Sequence, residues 1–401
     1  MILTIQYLED GPGVAAIAPA DAAARLRDAF ARLPLTHVLL GWNLPGAVIR
    51  ACRQETERAG ARLYRWHPLL SGDGTIVPRP EWRTIGLTGA PVAGFQDMPE
   101  FTFLCPNRPA VREAALAHLR GLCRTGQYDG MFLDRIRYPS PASDPAHALA
   151  CFCADCRRAA AENGMDLDDA RRRIEALLGV PGKRVAFLHA LLDPAFPSDG
   201  DPDLEALQQF LRFRAVSVVR FVALASELIR DEGLEVGLDC FSPSLAWTVG
   251  QDLGTLSTHG AWTKVMSYGH TLGPAGMPFE LLGLAEWLIA SGTTEQAALA
   301  TLSGACGLPL PPTCVALRNP GLSATALAED LHRGRAAGAR TLLAGIELVD
   351  LEGVTALTEA QICADLRAIL GAGVDGLALS WDLLHIPLER LSLVREMALD
   401  A

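Results

Sequence analysis

Eight short runs of apolar, β-branched and aromatic residues recur along the chain, most of them separated by stretches with helical periodicity. The runs are ILTIQYL (2–8), THVLLGW (36–42), ARLYRWHP (61–68), YDGMFLDRIRYP (128–139), LEVGLDCFSP (234–243), AWTKVMSYG (261–269), RTLLAGIELV (340–349) and VDGLALSWD (374–382). Between them, Ala/Leu/Arg-rich segments at 21–33, 45–59, 109–123, 204–231, 323–337 and 358–370 repeat apolar residues on one helical face. Gly60, Gly233, Gly338 and Gly373 stand where helices must turn into the next strand. Strands alternating with helices predict a parallel sheet, and eight of them predict an α/β fold of the (β/α)8 barrel type. A doubly wound sheet competes. It is disfavoured because no glycine-rich phosphate loop follows the first strand.

The chain, 1–401, reads as a single barrel domain, a size that such barrels reach when their loops grow. Three connections are too long to be plain turns: 69–108 after the third strand, 140–202 after the fourth and 270–322 after the sixth. All leave the strands' C-terminal ends, the face on which barrels build active sites. The first thirteen residues, MILTIQYLEDGPG, hold no basic segment followed by an apolar core and a small-residue cleavage site. No apolar run reaches the roughly 18 residues that span a bilayer. A cytoplasmic protein is therefore expected, with its ten cysteines as thiols or metal ligands. A net charge of −11 argues against nucleic acid and anionic membranes as partners. Oligomeric state is not legible.

Three of those cysteines fall within six residues, CFCADC (Cys151, Cys153 and Cys156). Thiolates at this spacing can converge on one centre, and zinc prefers four. Cys105, in FLCPNRPAVRE, is the best fourth ligand. These segments resemble the CPNSPxYR-like and CYCxxC-like segments of family 42 β-galactosidases, which are barrel enzymes. The resemblance covers roughly 105–160. It implies a structural zinc on Cys105, Cys151, Cys153 and Cys156, tying the loops after strands three and four. Cys52, Cys123, Cys240, Cys306, Cys314 and Cys363 read as core thiols.

Asp134 stands at the end of the fourth run, where a charge is costly in a core but useful at a barrel mouth. Arg137 and Tyr138 follow in the same turn. The wording DGMFLDRIRYPS resembles a broad set of glycoside-hydrolase-like barrels with DGIxFDxIRYP at strand four. Glu347 ends the seventh run. In the retaining clan that includes family 42, an acid/base follows strand four and a nucleophile follows strand seven, so the resemblance implies Asp134 and Glu347 as the catalytic carboxylates. That clan carries an Asn-Glu pair at strand four, which this chain lacks. A buried Asp134–Arg ion pair that only shapes the rim is the structural alternative. Asp239 ends strand five and Asp382 strand eight; either can replace one of the pair, or serve as a cap or rim hydrogen-bonding group.

Trp66 and His67 end strand three, Tyr268 and His270 follow strand six, and Trp381 ends strand eight. Sugars offer flat C–H faces and hydroxyls, which suit aromatic platforms and polar side chains. Gln251 and Asp252 either bind hydroxyls or cap the next helix. The expected function is hydrolysis of a glycosidic bond by Asp134 and Glu347 on a saccharide or glycoside substrate. Two alternatives stay open. One is a non-catalytic carbohydrate-binding barrel. The other is a metal-dependent hydrolase of another bond, needing an open metal site on His67, His270, Asp239 or Asp382.

Overall fold

A computed structural model describes residues 1–9, 14, 16–72, 76, 78–98, 101–142 and 144–399. Each of the eight apolar runs contains one strand: β1 (Ile2–Tyr7), β2 (His37–Leu40), β3 (Arg62–Pro68), β4 (Gly130–Asp134), β5 (Glu235–Cys240), β6 (Trp262–Val265), β7 (Leu342–Glu347) and β8 (Gly376–Ser380). They pair in chain order, all parallel, and β8 closes on β1 through pairs such as Leu3 with Leu377. The architecture is a closed (β/α)8 barrel.

Because side chains alternate along a strand, every second residue points into the barrel. Leu39, Tyr64, Trp66, Phe132, Trp262 and Leu343 meet there as one buried cluster. Phe132 stacks on Trp262 with centroids 5.4 Å apart, and Tyr64 tilts against Trp262 at 5.6 Å. Two inward glycines make room for these rings. A Cβ on Gly130 would lie 2.4 Å from the Tyr64 ring, and one on Gly237 2.3 Å from the Trp262 ring. The barrel is thus filled by side chains, and this aromatic layer is a floor beneath the C-terminal mouth.

The outer helices include those the periodicity predicts: Pro19–Arg32, Gly46–Arg58, Pro109–Cys123, Pro202–Asp231, Ala324–Ala336 and Glu359–Gly371. Asp201 caps the longest, with Pro202 in its first turn, and Thr358 and Gln361 form a reciprocal capping box. Gly60, Gly233, Gly338 and Gly373 all take positive φ, the left-handed turn that ends a helix at little steric cost.

The fourth strand ends at Asp134, as the sequence reading expects, because Arg135 enters the left-handed region at φ 52°. The connection after β6 is largely helical, with Met277–Ala290, Glu295–Cys306 and Cys314–Arg318. The first of these, MPFELLGLAEWLIA, is apolar over much of its surface and so carries little amphipathic period. The connection after β4 forms the helices Pro145–Ala148, Ala154–Ala161, Leu167–Gly179 and Arg184–Leu192 before the long helix. Phe152 of this segment stacks on Phe210 of that helix at 4.5 Å. Among the described residues no helix is long and apolar enough to cross a membrane.

Candidate active site

Above the aromatic floor, three neighbouring strands present a charged row. Asp239 is in register with Lys264 on β6, and Leu133 with Leu238, so Asp134 and Asp239 are the next residues along β4 and β5. Adjacent strands lie about 4.8 Å apart, which makes the two aspartates lateral neighbours. Asp134, Asp239 and Lys264 are almost wholly buried, and all three line a cavity of about 430 Å³. Gln6, Glu9, Trp66, Arg135, Arg137, Tyr268 and Trp381 line it too.

Both oxygens of Asp134 are held. Trp66 Nε1 donates to Oδ2 at 3.0 Å, and the Arg135 backbone N–H donates to Oδ1. The left-handed Arg135 accompanies that backbone contact. A non-glycine residue there costs on the order of 1 kcal/mol or more, a strain typical of positions where orientation matters.

Asp239 is held on one side only. Lys264 Nζ donates to Oδ2 at 2.9 Å, while the buried Oδ1 has no hydrogen-bond partner among the described residues. Burial pushes the Asp239 carboxyl up to about 7; the Lys264 ammonium opposes this and the nearby Asp134 adds to it. For Lys264, burial works against the charge, but Asp239 and Tyr268 outweigh it and the net direction is upward. The ammonium therefore stays charged at neutral pH, beside an acid able to exchange its proton there. Glu9 sits 3.6 Å from Arg135 with 34 % of its side chain exposed. Burial pushes Glu9 upward against the Arg135 guanidinium, and the water it still meets tempers that shift.

A second layer fixes the walls. Tyr268 donates its hydroxyl to Ser380 Oγ at 2.8 Å, and Ser380 donates to Gln6 Oε1. Trp381 meets the Tyr268 ring edge-on at 6.0 Å. The Arg137 guanidinium lies between Phe103 and Phe241, 4.3 and 4.4 Å from their centroids, and burial pushes it down to about 10.

Of the residues singled out in the sequence, Asp134, Asp239, Trp66, Arg137, Tyr268 and Trp381 therefore share one cavity. Seven others lie elsewhere. Glu347 Oε1 accepts the His270 N–H at 3.0 Å and the Thr271 hydroxyl at 2.7 Å, and Glu347 is not among the cavity-lining residues. Its role there is to hold the loop after β6. His270 bonds Asp365 through Nε2 at 2.8 Å and the Pro320 carbonyl through Nδ1. His67 follows the inward Trp66 and so faces outward, 5.5 Å from His118. Asp382 accepts the backbone N–H groups of Leu8, Glu9 and Leu384, bracing β8 against the segment after β1. Tyr138 is buried under the Arg214 guanidinium, 4.9 Å from its ring centroid. A Cβ on Gly250, at φ 79°, would lie 3.0 Å from that ring. Gln251 bridges the Phe241 N–H and the Ile136 carbonyl, and Asp252 caps the short helix Leu253–Leu256.

Lys264, Glu9 and Gln6 escaped the sequence reading, and Arg135 entered it only as an ion-pair alternative for Asp134. Lys264 had a signal: it follows Trp262 by two in an apolar strand, so it shares that residue's inward face.

The four cysteines meet. The Sγ atoms of Cys105, Cys151, Cys153 and Cys156 all lie within 4.8 Å of one another and are buried. Cys105 is 3.6 Å from Cys153 and 3.4 Å from Cys156. A tetrahedral metal with bonds of about 2.3 Å needs sulfurs about 3.8 Å apart, so the cluster could hold a metal ion. Ile85 N–H and Asn107 Nδ2 point at Cys151 and Cys156, and Cys153 caps the helix Ala154–Ala161. Arg214 lies nearby, fully buried; its Nη1 donates to the Thr248 carbonyl, while Nε and Nη2 have no partner among the described residues.

Fold and site together define a (β/α)8 barrel with a carboxylate-lined cavity at its C-terminal mouth. No family model matches the sequence, and no curated protein matches it. Solved structures do share the fold. The PgaB (BpsB) glycoside hydrolase domain from Bordetella bronchiseptica is 15% identical, with 100% of this chain and 99% of that chain covered and a TM-score of 0.57. The catalytic domain of β-amylase from Paenibacillus polymyxa is 10% identical over 96% of this chain and 94% of its own, with a TM-score of 0.54. α-L-Fucosidase isoenzyme 2 from Paenibacillus thiaminolyticus is 10% identical over 99% of this chain and 49% of its own, with a TM-score of 0.52. At these identities the likeness is one of fold.

Proposed function

We propose that this protein hydrolyses glycosidic bonds, with Asp134 and Asp239 as the working carboxylates. The observation that carries the reading is their placement side by side in one cavity, in unequal surroundings. Two carboxyl groups that differ in environment can divide acid and charge-stabilising roles between them. Asp239, near neutral in its titration and with a free Oδ1, donates a proton to the leaving oxygen as the C–O bond breaks. Asp134, its orientation set by Trp66 and the Arg135 amide, faces the anomeric carbon as positive charge develops there. Water then adds to that carbon and returns its proton to Asp239. Tyr268 and Trp381 offer ring faces or edges to the sugar.

Glu347 enters this reading as a support for the wall, not as the partner of Asp134. The sugar-binding alternative calls for carboxylates too far apart to act together, which neighbouring strand ends do not favour. The metal-hydrolase alternative calls for an open metal site on His67, His270, Asp239 or Asp382; of these Asp239 lines the cavity, whereas His270 is bonded to Asp365, and Asp382 to backbone N–H groups. The fold likenesses add that comparable barrels include proteins titled as glycoside hydrolase, amylase and fucosidase. The functional argument rests on the site.

The same reading assigns zinc to the four cysteines as a structural ion. Four thiolates fill its tetrahedron, so it supplies cross-linking and no chemistry at the substrate. The test of the proposal is turnover of a panel of aryl glycosides and soluble polysaccharides by the native protein and by Asp134→Asn and Asp239→Asn. Loss of at least a hundredfold in kcat by both variants, with unchanged circular dichroism, is expected. No turnover of any sugar by the native protein would remove the reading.

A further inference from the structure

The catalytic cavity has a neighbour. A second cavity of about 610 Å³ lies beside it and shares Phe95, Gln96, Phe101, Arg137 and Pro274 in the common wall. Ligand cavities run to about 300–1,000 Å³, so each compartment alone takes a small ligand and the pair exceeds one sugar ring. None of Asp134, Asp239 and Lys264 lines the second cavity, so its walls bind but do not react.

The second cavity has the character of a built site. Phe101, Phe103 and Phe279 give it aromatic surface, and Phe279 is braced edge-on against Phe95 at 5.5 Å. The side chain that bridges both compartments is Arg137. It is 4 % exposed, gives Nη1 to the Tyr138 carbonyl, and leaves Nε without a hydrogen-bond partner among the described residues. Among the described residues it makes no ion pair within 4 Å; Glu280, the carboxyl that shares the second cavity with it, is bonded to Ser140 Oγ and the Ala275 N–H. A guanidinium packed between two phenyl rings, lining both compartments and without an ion pair among the described residues, calls for acceptor oxygens from within the cavities. Ring hydroxyls and linkage oxygens supply them, and the phenyl surface suits the C–H faces of the same rings.

We propose that the second cavity is a saccharide subsite and that the substrate is an oligo- or polysaccharide running through both compartments, cleaved at an internal linkage, with Arg137 hydrogen-bonded to the sugars at the junction. This rests on the glycosidase reading above and extends it from a bond to a substrate class. A chain of several units fills both compartments, and a small glycoside fills one.

The experiment compares kcat/KM on cello-, xylo- and chito-oligosaccharide ladders of increasing length with that on the matching aryl monoglycosides. The native protein should favour the longer members of the ladder it accepts by at least tenfold over the aryl glycoside. Phe279→Ala should cut that preference by about tenfold. Thr88→Trp fills the second cavity from its exposed rim without removing buried surface. It should do the same, which guards against a folding defect in the first variant. Hydrolysis that is indifferent to chain length, or a preference untouched by both variants, would overturn the subsite and leave the glycosidase reading standing. Failure of every sugar, short or long, to be cleaved would overturn both.

Discussion

Lys264 and Asp239 stand in register on adjacent strands, with the ammonium 2.9 Å from one carboxylate oxygen while the other oxygen has no hydrogen-bond partner among the described residues. This one-sided pairing leaves the carboxyl with a proton to trade near neutrality.

Its pH dependence follows. If protonated Asp239 is the acid, kcat/KM should fall as pH rises through about 7. Lys264 lowers the Asp239 pKa, so Lys264→Met should move that alkaline limb to higher pH. It should also cost about 3–5 kcal/mol of stability, as removing one member of a buried pair does. A pH–rate profile that does not move in the variant would break the assignment. The folded-state shift is upward, so Asp239 itself contributes stability that is lost as pH climbs from the ordinary aspartate range towards 7.

Trp66→Phe keeps the floor packed but removes the N–H donated to Asp134. A hydrogen bond to a charged group is worth about 1.5–3 kcal/mol, so kcat should drop by roughly ten- to a hundredfold. Thermal melting should shift by only a few degrees; a large shift with native kcat would make the contact merely architectural.

Purified protein should hold close to one zinc per chain, and Cys153→Ser should release it. Binding energy of a structural metal is folding energy, so the melting temperature should fall markedly. Metal analysis and calorimetry on the same samples check this. An unchanged melt in the metal-free variant would remove the structural role.

Arg214 gives a sharper test of charge at that centre. Four thiolates around a divalent metal carry a net negative charge, and this fully buried guanidinium has Cys151 among the few charges acting on it. Arg214→Met should speed zinc loss to a chelator, because it removes compensating charge. In metal-free protein the same change should be less harmful, since a buried cation is then unbalanced. Equal stability losses in both forms would contradict the electrostatic link.

How much of this the sequence discloses depends on range. Strand and helix positions are local, and the alternation of apolar runs with helical segments carried the barrel. The cysteine cluster was legible because three of the thiols are close in sequence and the fourth sits in a distinctive segment. Asp134 was legible from a charge at the end of an apolar run. The proposed partner of Asp134 was legible only as one of several carboxylates at strand ends. Glu347 and Asp239 both end apolar strands, and only the seating of the loop after β6, through His270 and Thr271, occupies the first and leaves the second open to the cavity. His67 fell to a simpler rule, since two adjacent strand residues cannot both face inward.

The four cysteines reach further than their own pocket. The second cavity has its two flanks in the segments 88–103 and 137–148, and the cluster begins two residues past the first flank and three past the second. Ile85 N–H meeting Cys151 Sγ, and the bridge between Gly86 and Ala150, join the residues just before the first flank to those just after the second. With the zinc proposed above, the cluster would be the clasp of a clamp whose jaws are the walls of the outer compartment. Under the readings proposed above, thiol oxidation or chelation would slacken the grip on a long chain while leaving the barrel-borne aspartates in place, and the length of sugar handled would report the redox and metal state around the protein.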